Sequence, residues 1–284
     1  MSNYRRVPFL TFVVSPYQKV KINLAGCNFD CRACFAIAKN EVGRELSVEG
    51  LINLLVKSCQ QIYGKIPEDV QFTGGEPTAN TDYLLSLIKR LRELHVSKIG
   101  ISTNGYLLDR NLVGELKASG VNYIKLDLKA YSDQIHKWYT GKSNINVLKA
   151  VELLSEHGMN FYVRTIYTPN LVESNEIEKI AKFLSQINKN MTYKIYQFAP
   201  EQANSDISKR PSQQEMRRAF DVAKRYLNDV EFNTTVTAYE PEYKYVEVRA
   251  DELLEDFKKI DEISKSIVNG WEMPYFTMNQ ILTS

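Results

Sequence analysis

The sequence predicts an α/β fold: a partial, TIM-like (β/α)6 barrel of parallel strands with a small C-terminal extension. Three observations carry that reading. Apolar, β-branched runs alternate with stretches of helical period, the mark of parallel strands joined by crossover helices. The runs read as continuous rather than alternating, as for strands covered on both faces. The length, 284 residues, suits one barrel of roughly 200 to 250 residues plus an appendage.

Taken in order, Arg5 and Arg6 precede an apolar run from Val7 to Val14 with the outline of a leader peptide. Pro8 interrupts it, Ser15-Pro16 ends it and no small-residue cleavage site follows, so it reads as a strand or an ordered arm. Six barrel strands are expected at Lys19–Leu24, Asp69–Thr73, Lys98–Ser102, Tyr123–Leu128, Asn160–Tyr167 and Thr192–Phe198. Between them, Ser47 can cap a helix whose apolar stripe is Leu51, Leu54, Leu55, Cys59 and Ile62, and a second runs from about Asn80 to Leu94. Further helices are expected at Leu112–Ser119, Asn146–His157, Ser174–Gln186 and, after Pro211, Ser212–Asn228. Beyond this the pattern changes: Glu231–Ala238 and Tyr243–Arg249 read as strands about a Pro241 turn, and Asp251–Val268 as a charged amphipathic helix. The expected division is a barrel over residues 1–230 and an extension over 231–284.

Charge and composition narrow the function. The 36 Lys+Arg and 34 Asp+Glu leave a net charge of +2, which asks for neither nucleic acid nor an anionic membrane as partner. No apolar stretch approaches the ~18 residues that span a bilayer. A cytoplasmic protein is expected. The aromatic tail of Tyr239, Tyr243, Tyr245, Trp271, Tyr275 and Phe276 reads as packing surface rather than a base-stacking platform.

Three of the four cysteines, Cys27, Cys31 and Cys34, share one short loop after the first barrel strand, in a C-x3-C-x2-C spacing. Bridges between such close neighbours would be strained, so a reducing compartment and metal ligation fit better than disulfides. Thiolates suit zinc or iron–sulfur clusters, which usually take four protein ligands where the site is structural or only transfers electrons. Three ligands leave one position open, because Cys59 lies on a helical apolar stripe and reads as a small buried hydrophobe. A cubane with one open iron follows.

Other polar motifs also stand just past strand ends, where barrel active sites are built. They are Thr73-Gly74-Gly75-Glu76-Pro77-Thr78, Ser102-Thr103-Asn104-Gly105 and Leu126-Asp127-Leu128-Lys129. A Gly pair lets backbone approach a ligand closely, and Glu76 offers a carboxylate to an ammonium group.

With these motifs in order, the chain resembles the radical S-adenosylmethionine (radical SAM) superfamily. From about Val20 to Leu184 it is similar to the glycyl-radical-enzyme activases, such as pyruvate formate-lyase activating enzyme. The resemblance implies a [4Fe-4S] cluster on Cys27, Cys31 and Cys34 with S-adenosyl-L-methionine on its open iron. It further implies that Gly74, Gly75 and Glu76 hold the methionyl amine, and that Ser102, Asn104, Asp127, Lys129 and Arg164 serve the cofactor's carboxylate and ribose. One-electron cleavage to a 5′-deoxyadenosyl radical and hydrogen abstraction follow, with a glycyl radical enzyme as substrate and a flavodoxin- or ferredoxin-type electron donor.

The chain departs from that pattern in places. Ala33 stands where an aromatic residue commonly precedes the third cysteine, leaving Phe29 or Phe35 to replace it. Ser102 stands where the activases commonly carry a cation-binding aspartate. Tyr196-Gln197-Phe198-Ala199-Pro200 lacks a histidine seen in some activases. Of the histidines, His95 and His157 read as helix-end residues, and His136 has no obvious route to the cluster. The alternative is radical modification of another substrate, whether RNA, peptide or metabolite. A non-catalytic three-cysteine metal module comes third.

Overall fold

The barrel strands form the middle of one sheet. In the computed structural model, which describes residues 3–202, 207, 209–234 and 242–283, the N-terminal arm is split at Pro8 into β1 (Tyr4–Val7) and β2 (Phe9–Ser15). Proline has no N–H to give to a ladder. Then come β3 (Lys19–Leu24), β4 (Arg44–Ser47), α1 (Val48–Tyr63), β5 (Asp69–Gly74), α2 (Thr81–Glu93), β6 (Lys98–Thr103), α3 (Arg110–Ala118) and β7 (Tyr123–Asp127). They are followed by α4 (Asp133–Thr140), α5 (Ile145–Glu156), β8 (Phe161–Tyr167), α6 (Ser174–Ile187), β9 (Tyr193–Gln197), α7 (Gln213–Lys224) and β10 (Val230–Asn233). The chain closes with β11 (Lys244–Arg249), α8 (Leu254–Ile267), β12 (Tyr275–Thr277) and α9 (Met278–Thr283).

Ten strands make one sheet in the order β10-β9-β8-β7-β6-β5-β3-β2-β11-β12, while β1 and β4 pair separately. From β3 to β10 every pairing is parallel; β2 and β11 then run antiparallel, and β12 lies parallel to β11. Seven parallel strands therefore stand where six were expected. The seventh begins the run assigned to the extension: Val230 pairs with Tyr193 and Asn233 with Tyr196. Its cause is α7, fixed at its start by the Ser212–Glu215 capping box and burying Met216, Ala219, Val222 and Ala223. A packed crossover helix lays the next strand parallel beside the last. The remainder of that run, from residue 235, with Tyr239 and the Pro241 turn, lies outside the described residues.

A second difference concerns the faces of the sheet. The barrel strands alternate: Val20, Ile22, Val70, Phe72, Ile99, Ile101, Ile124 and Leu126 are fully buried. Their neighbours in the chain are Lys19, Lys21, Gln71, Ser102, Lys125 and Asp127, which lie on the opposite face. Only the first face packs under helices. The second carries polar and charged side chains, so the expected cover of both faces is met on one face alone. α1 and α2 begin at Ser47 and Asn80, whose side chains accept from the Gly50 N–H (3.1 Å) and the Tyr83 N–H (3.1 Å). His157 ends α5, and His95 follows α2 with a left-handed backbone. The C-terminal segment packs through Arg249, whose guanidinium lies 4.6 Å from the rings of both Phe257 and Tyr275 and pairs with Asp261 at 2.7 Å. No helix among the described residues is long and apolar enough to cross a membrane.

Candidate functional site

The cysteine loop leaves the C-terminal end of β3 and is pinned by the end of α4. The Asp30 N–H donates to the Thr140 carbonyl (2.9 Å) and the Arg32 N–H to the Tyr139 carbonyl (3.0 Å). Arg32 lays its guanidinium 4.7 Å from the Trp138 ring, and Lys39 pairs with Asp30 at 2.5 Å. Phe29 is buried edge-on between Tyr106 and His136, each 5.5 Å away. It serves to seat the loop, whereas Phe35 is 58% exposed. His136 thus touches the loop by packing, its Nδ1 2.7 Å from the Lys142 carbonyl oxygen.

All three loop thiols are free and half-buried. Burial pushes the Cys27 thiol up, and pushes Cys31 up to about 12, with the neighbouring thiols adding to it and Lys129 opposing. Cys59 is fully buried in α1, and burial alone lifts it to about 12. The donor set can be tested against the two candidate metals. A zinc ion needs donors converging at 2.0–2.3 Å, and among the described residues no three His, Cys, Asp or Glu side chains are grouped to hold one ion. A cubane spreads its thiolates over separate irons, so three thiols spaced along one loop fit it.

The turn after β5 rests against this loop. A Cβ on Gly74, whose φ is +118°, would collide with the Leu24 main chain, and one on Gly75 with the Gly26 and Ala38 carbonyls. The Gly75 N–H donates to the Leu24 carbonyl (2.9 Å) and the Glu76 N–H to that of Gly26 (2.8 Å). The glycine pair therefore admits the cysteine loop's own backbone. Glu76 is wholly buried, and its carboxylate accepts from the Thr78 N–H (3.0 Å), the Thr78 and Thr103 hydroxyls (2.7 Å each) and the Asn104 N–H (2.7 Å). Burial raises its pKa and these donors oppose the rise. Asn104 in turn donates from Nδ2 to Asn28 Oδ1 (2.7 Å), tying the end of β6 to the loop.

One residue of this assembly was not read from the sequence. Arg5, buried in β1, donates to the carbonyls of Ala25 (3.1 Å), Gly26 (3.4 Å), Pro77 (2.8 Å) and Glu76. Burial lowers its pKa, with the Glu76 charge acting against it. A faint signal existed: in Tyr4-Arg5-Arg6-Val7, Arg5 shares its face with the buried Val7.

A second group stands at the ends of β7 and β8. Asp127 accepts from Arg164 Nε (2.6 Å) and Lys129 Nζ (3.0 Å). Burial acts to raise the Asp127 carboxyl, yet Arg164 and Lys129 hold it below its ordinary value. Burial likewise acts to lower Lys129, but Asp127 and then Cys31 raise it, which places its ammonium within the field of the loop. Ser102 belongs to neither group; its hydroxyl accepts from Gln71 Nε2 at 2.7 Å.

Thiols, a carboxylate-locked glycine turn and a charged triad, all at the C-terminal edge of a parallel sheet, define a cofactor-dependent α/β enzyme of the partial-barrel class. The chain belongs to the radical SAM superfamily, whose family model matches residues 24–184. It is 32% identical over 221 residues to a candidate glycyl-radical enzyme activating enzyme of Methanocaldococcus jannaschii, a match covering 76% of this chain and 81% of that one. With a candidate GTP 3′,8-cyclase of Sulfolobus acidocaldarius it shares 35% identity over 131 residues, 46% of this chain and 39% of the cyclase. In fold it is similar to a domain of pyruvate-formate lyase-activating enzyme from Bacteroides vulgatus, with a TM-score of 0.51 at 18% identity, covering 58% of this chain and 98% of that domain. The chain is an enzyme of the radical SAM type, and that superfamily's cofactors are a [4Fe-4S] cluster and S-adenosylmethionine.

Proposed function

We propose that this enzyme activates a glycyl radical enzyme by removing a hydrogen atom from a glycine α-carbon of that partner. The observation that carries the reading is the likeness to the Methanocaldococcus jannaschii protein, which extends over three quarters of the chain, whereas the likeness to the Sulfolobus acidocaldarius cyclase spans 46% of it and that to a candidate cyclase of Archaeoglobus fulgidus 60%. When bound, the cluster and S-adenosylmethionine supply one-electron sulfonium cleavage, and with it a 5′-deoxyadenosyl radical as the hydrogen acceptor.

The chain's own part is binding and alignment. Cys27, Cys31 and Cys34 hold the cluster. Gly74, Gly75 and Glu76 meet the methionyl amine; the Glu76 carboxylate is committed to Thr78, Thr103 and Asn104 and its main chain to Gly26 and Arg5, so the amine would donate to carbonyl oxygens of the glycine turn. Lys129 and Arg164, aligned by Asp127, receive the cofactor's carboxylate as charged donors. Ser102 and Asn104 serve the ribose side, and the exposed Phe35 ring covers the adenine.

Anoxically reconstituted enzyme given dithionite and S-adenosylmethionine is expected to release 5′-deoxyadenosine. With a glycyl radical enzyme from the same genome added, an electron paramagnetic resonance doublet of a glycyl radical is expected. Release of 5′-deoxyadenosine with no doublet on any such partner would overturn the activase reading.

A further inference from the structure

The polar face of the sheet is lined by more cations than its carboxylates can pair. Lys19 (3.3 Å) and Lys98 (3.1 Å) share Asp69, Lys129 and Arg164 share Asp127, and Lys194 pairs with Glu231 (2.7 Å). Two lysines are left over. Neither Lys21 nor Lys125 makes an ion pair among the described residues. Glu247, whose charge reaches Lys21, is bound to Arg249 at 2.7 Å.

The two lysines are walled by aromatic rings. Lys125 lies 5.7 Å from the Tyr123 ring and 5.9 Å from that of Tyr162, and Lys21 lies 5.5 Å from Tyr245. Strand register puts Lys21 level with Gln71, Gly100 and Tyr123, two residues below Lys125 on β7. Gly100 matters here, because a Cβ at that position would collide with the Tyr123 ring that crosses it. Both lysines are half-buried, so solvent and small solutes reach them. Burial first, then Lys19 and Arg164, hold Lys21 down to about 8 and Lys125 down to about 6, and Lys21 also acts on Lys125. Near neutral pH Lys21 is charged while Lys125 is largely a neutral amine, and an anion settling beside them would restore the Lys125 charge.

We infer that Lys21 and Lys125 form an oxyanion-binding site on the polar face of the sheet, which takes a carboxylate or phosphate group of the substrate. This rests on the proposed function only in placing the hydrogen donor on the polar face of the sheet. For a protein partner, the site would accept an acidic side chain close to the target glycine.

The test is calorimetric titration of the cluster-loaded enzyme, without reductant, by succinate in one arm and inorganic pyrophosphate in the other. Saturable one-to-one binding of at least one anion is expected, weakened tenfold or more in Lys21→Met and in Lys125→Met. Succinate alone would mark a carboxylate site and pyrophosphate alone a phosphate site. Because neither lysine makes an ion pair whose loss would unfold the protein, both variants should melt at or above the wild-type temperature, and Lys125→Gln should behave as Lys125→Met does. Failure of both anions to bind, or equal binding by wild type and variants, overturns the inference. A variant that melts well below wild type also overturns it, since the lysine would then be structural. The titration needs no turnover, so its failure leaves the activase reading standing, and absence of the glycyl doublet leaves the titration standing.

Discussion

The loop of Cys27, Cys31 and Cys34 and the turn of Glu76 lie against each other and are held in opposite ways. In the turn, each carboxylate oxygen of Glu76 is taken by donors of its own chain. In the loop, the backbone is pinned through Asp30 and Arg32 while the three thiols stay out of any disulfide, Cys27 alone accepting weakly from the Phe29 N–H (3.4 Å) and Asn104 Nδ2 (3.9 Å). The contrast separates frame from function. Polar groups that a chain satisfies for itself hold the shape, and those it leaves available are offered to something that arrives later.

The largest expected effect lies on the loop. Replacing any of Cys27, Cys31 or Cys34 by Ala should reduce bound iron and 5′-deoxyadenosine release to background. Stability of the metal-free protein should move by about 1 kcal/mol, since Cys27 and Cys31 are half-buried against the edge of the core and lose only a small side chain. Cys59→Ala should keep its iron and instead lose about 1 kcal/mol to the small cavity it leaves in α1. Iron analysis beside urea unfolding checks both halves, and a Cys59 variant that lost its iron would erase the distinction.

Next comes the turn. Glu76→Ala strands two hydroxyls and two N–H groups in a dry interior and should cost about 3–5 kcal/mol, the usual penalty for breaking a buried charged network. Glu76→Gln keeps an acceptor oxygen and should lose clearly less. Equal unfolding midpoints for Glu76→Ala and wild type would mean that the turn does not depend on its carboxylate.

The last effect is a pH slope, felt only in alkali. Burial in the fold pushes the Cys31 thiol from its ordinary 9.0 up to about 12. An acid raised by folding contributes stability that is complete below the lower value and is lost as pH rises toward the upper one. Metal-free protein should therefore weaken between pH 9 and about 12, by up to about 1.4 kcal/mol per pH unit for this one proton. Cys31→Ala should flatten the slope by that share, leaving the similar contribution of Cys59. Unfolding curves at several pH values would show it, and parallel slopes would refute it.

How much of this was legible in the sequence depends on how local its cause is. The barrel strands, the cap at Ser47 and the helix starts at Asn80 and Ser212 were readable because a strand run or a helix start is written within a few consecutive residues. The motifs at strand ends were readable for the same reason. The seventh parallel strand was not, because only the packing of α7 decides that Val230 pairs with Tyr193. The commitment of Glu76 to Thr103 and Asn104 depends on β5 and β6 being neighbours. The unpaired state of Lys21 and Lys125 depends on which carboxylates the register brings near, and a count of 36 cations against 34 anions conceals it.

Arg5 lies outside the span matched by the superfamily model, yet its guanidinium grips both the start of the cysteine loop and the turn after β5. β1, which carries it, pairs in the ladder with β4, in a ribbon apart from the main sheet, and takes the Ala25 N–H on its Arg6 carbonyl. Peeling that ribbon away would slacken both segments at one stroke. Two strands brought together from distant parts of the chain thus act as a clasp on the reaction centre.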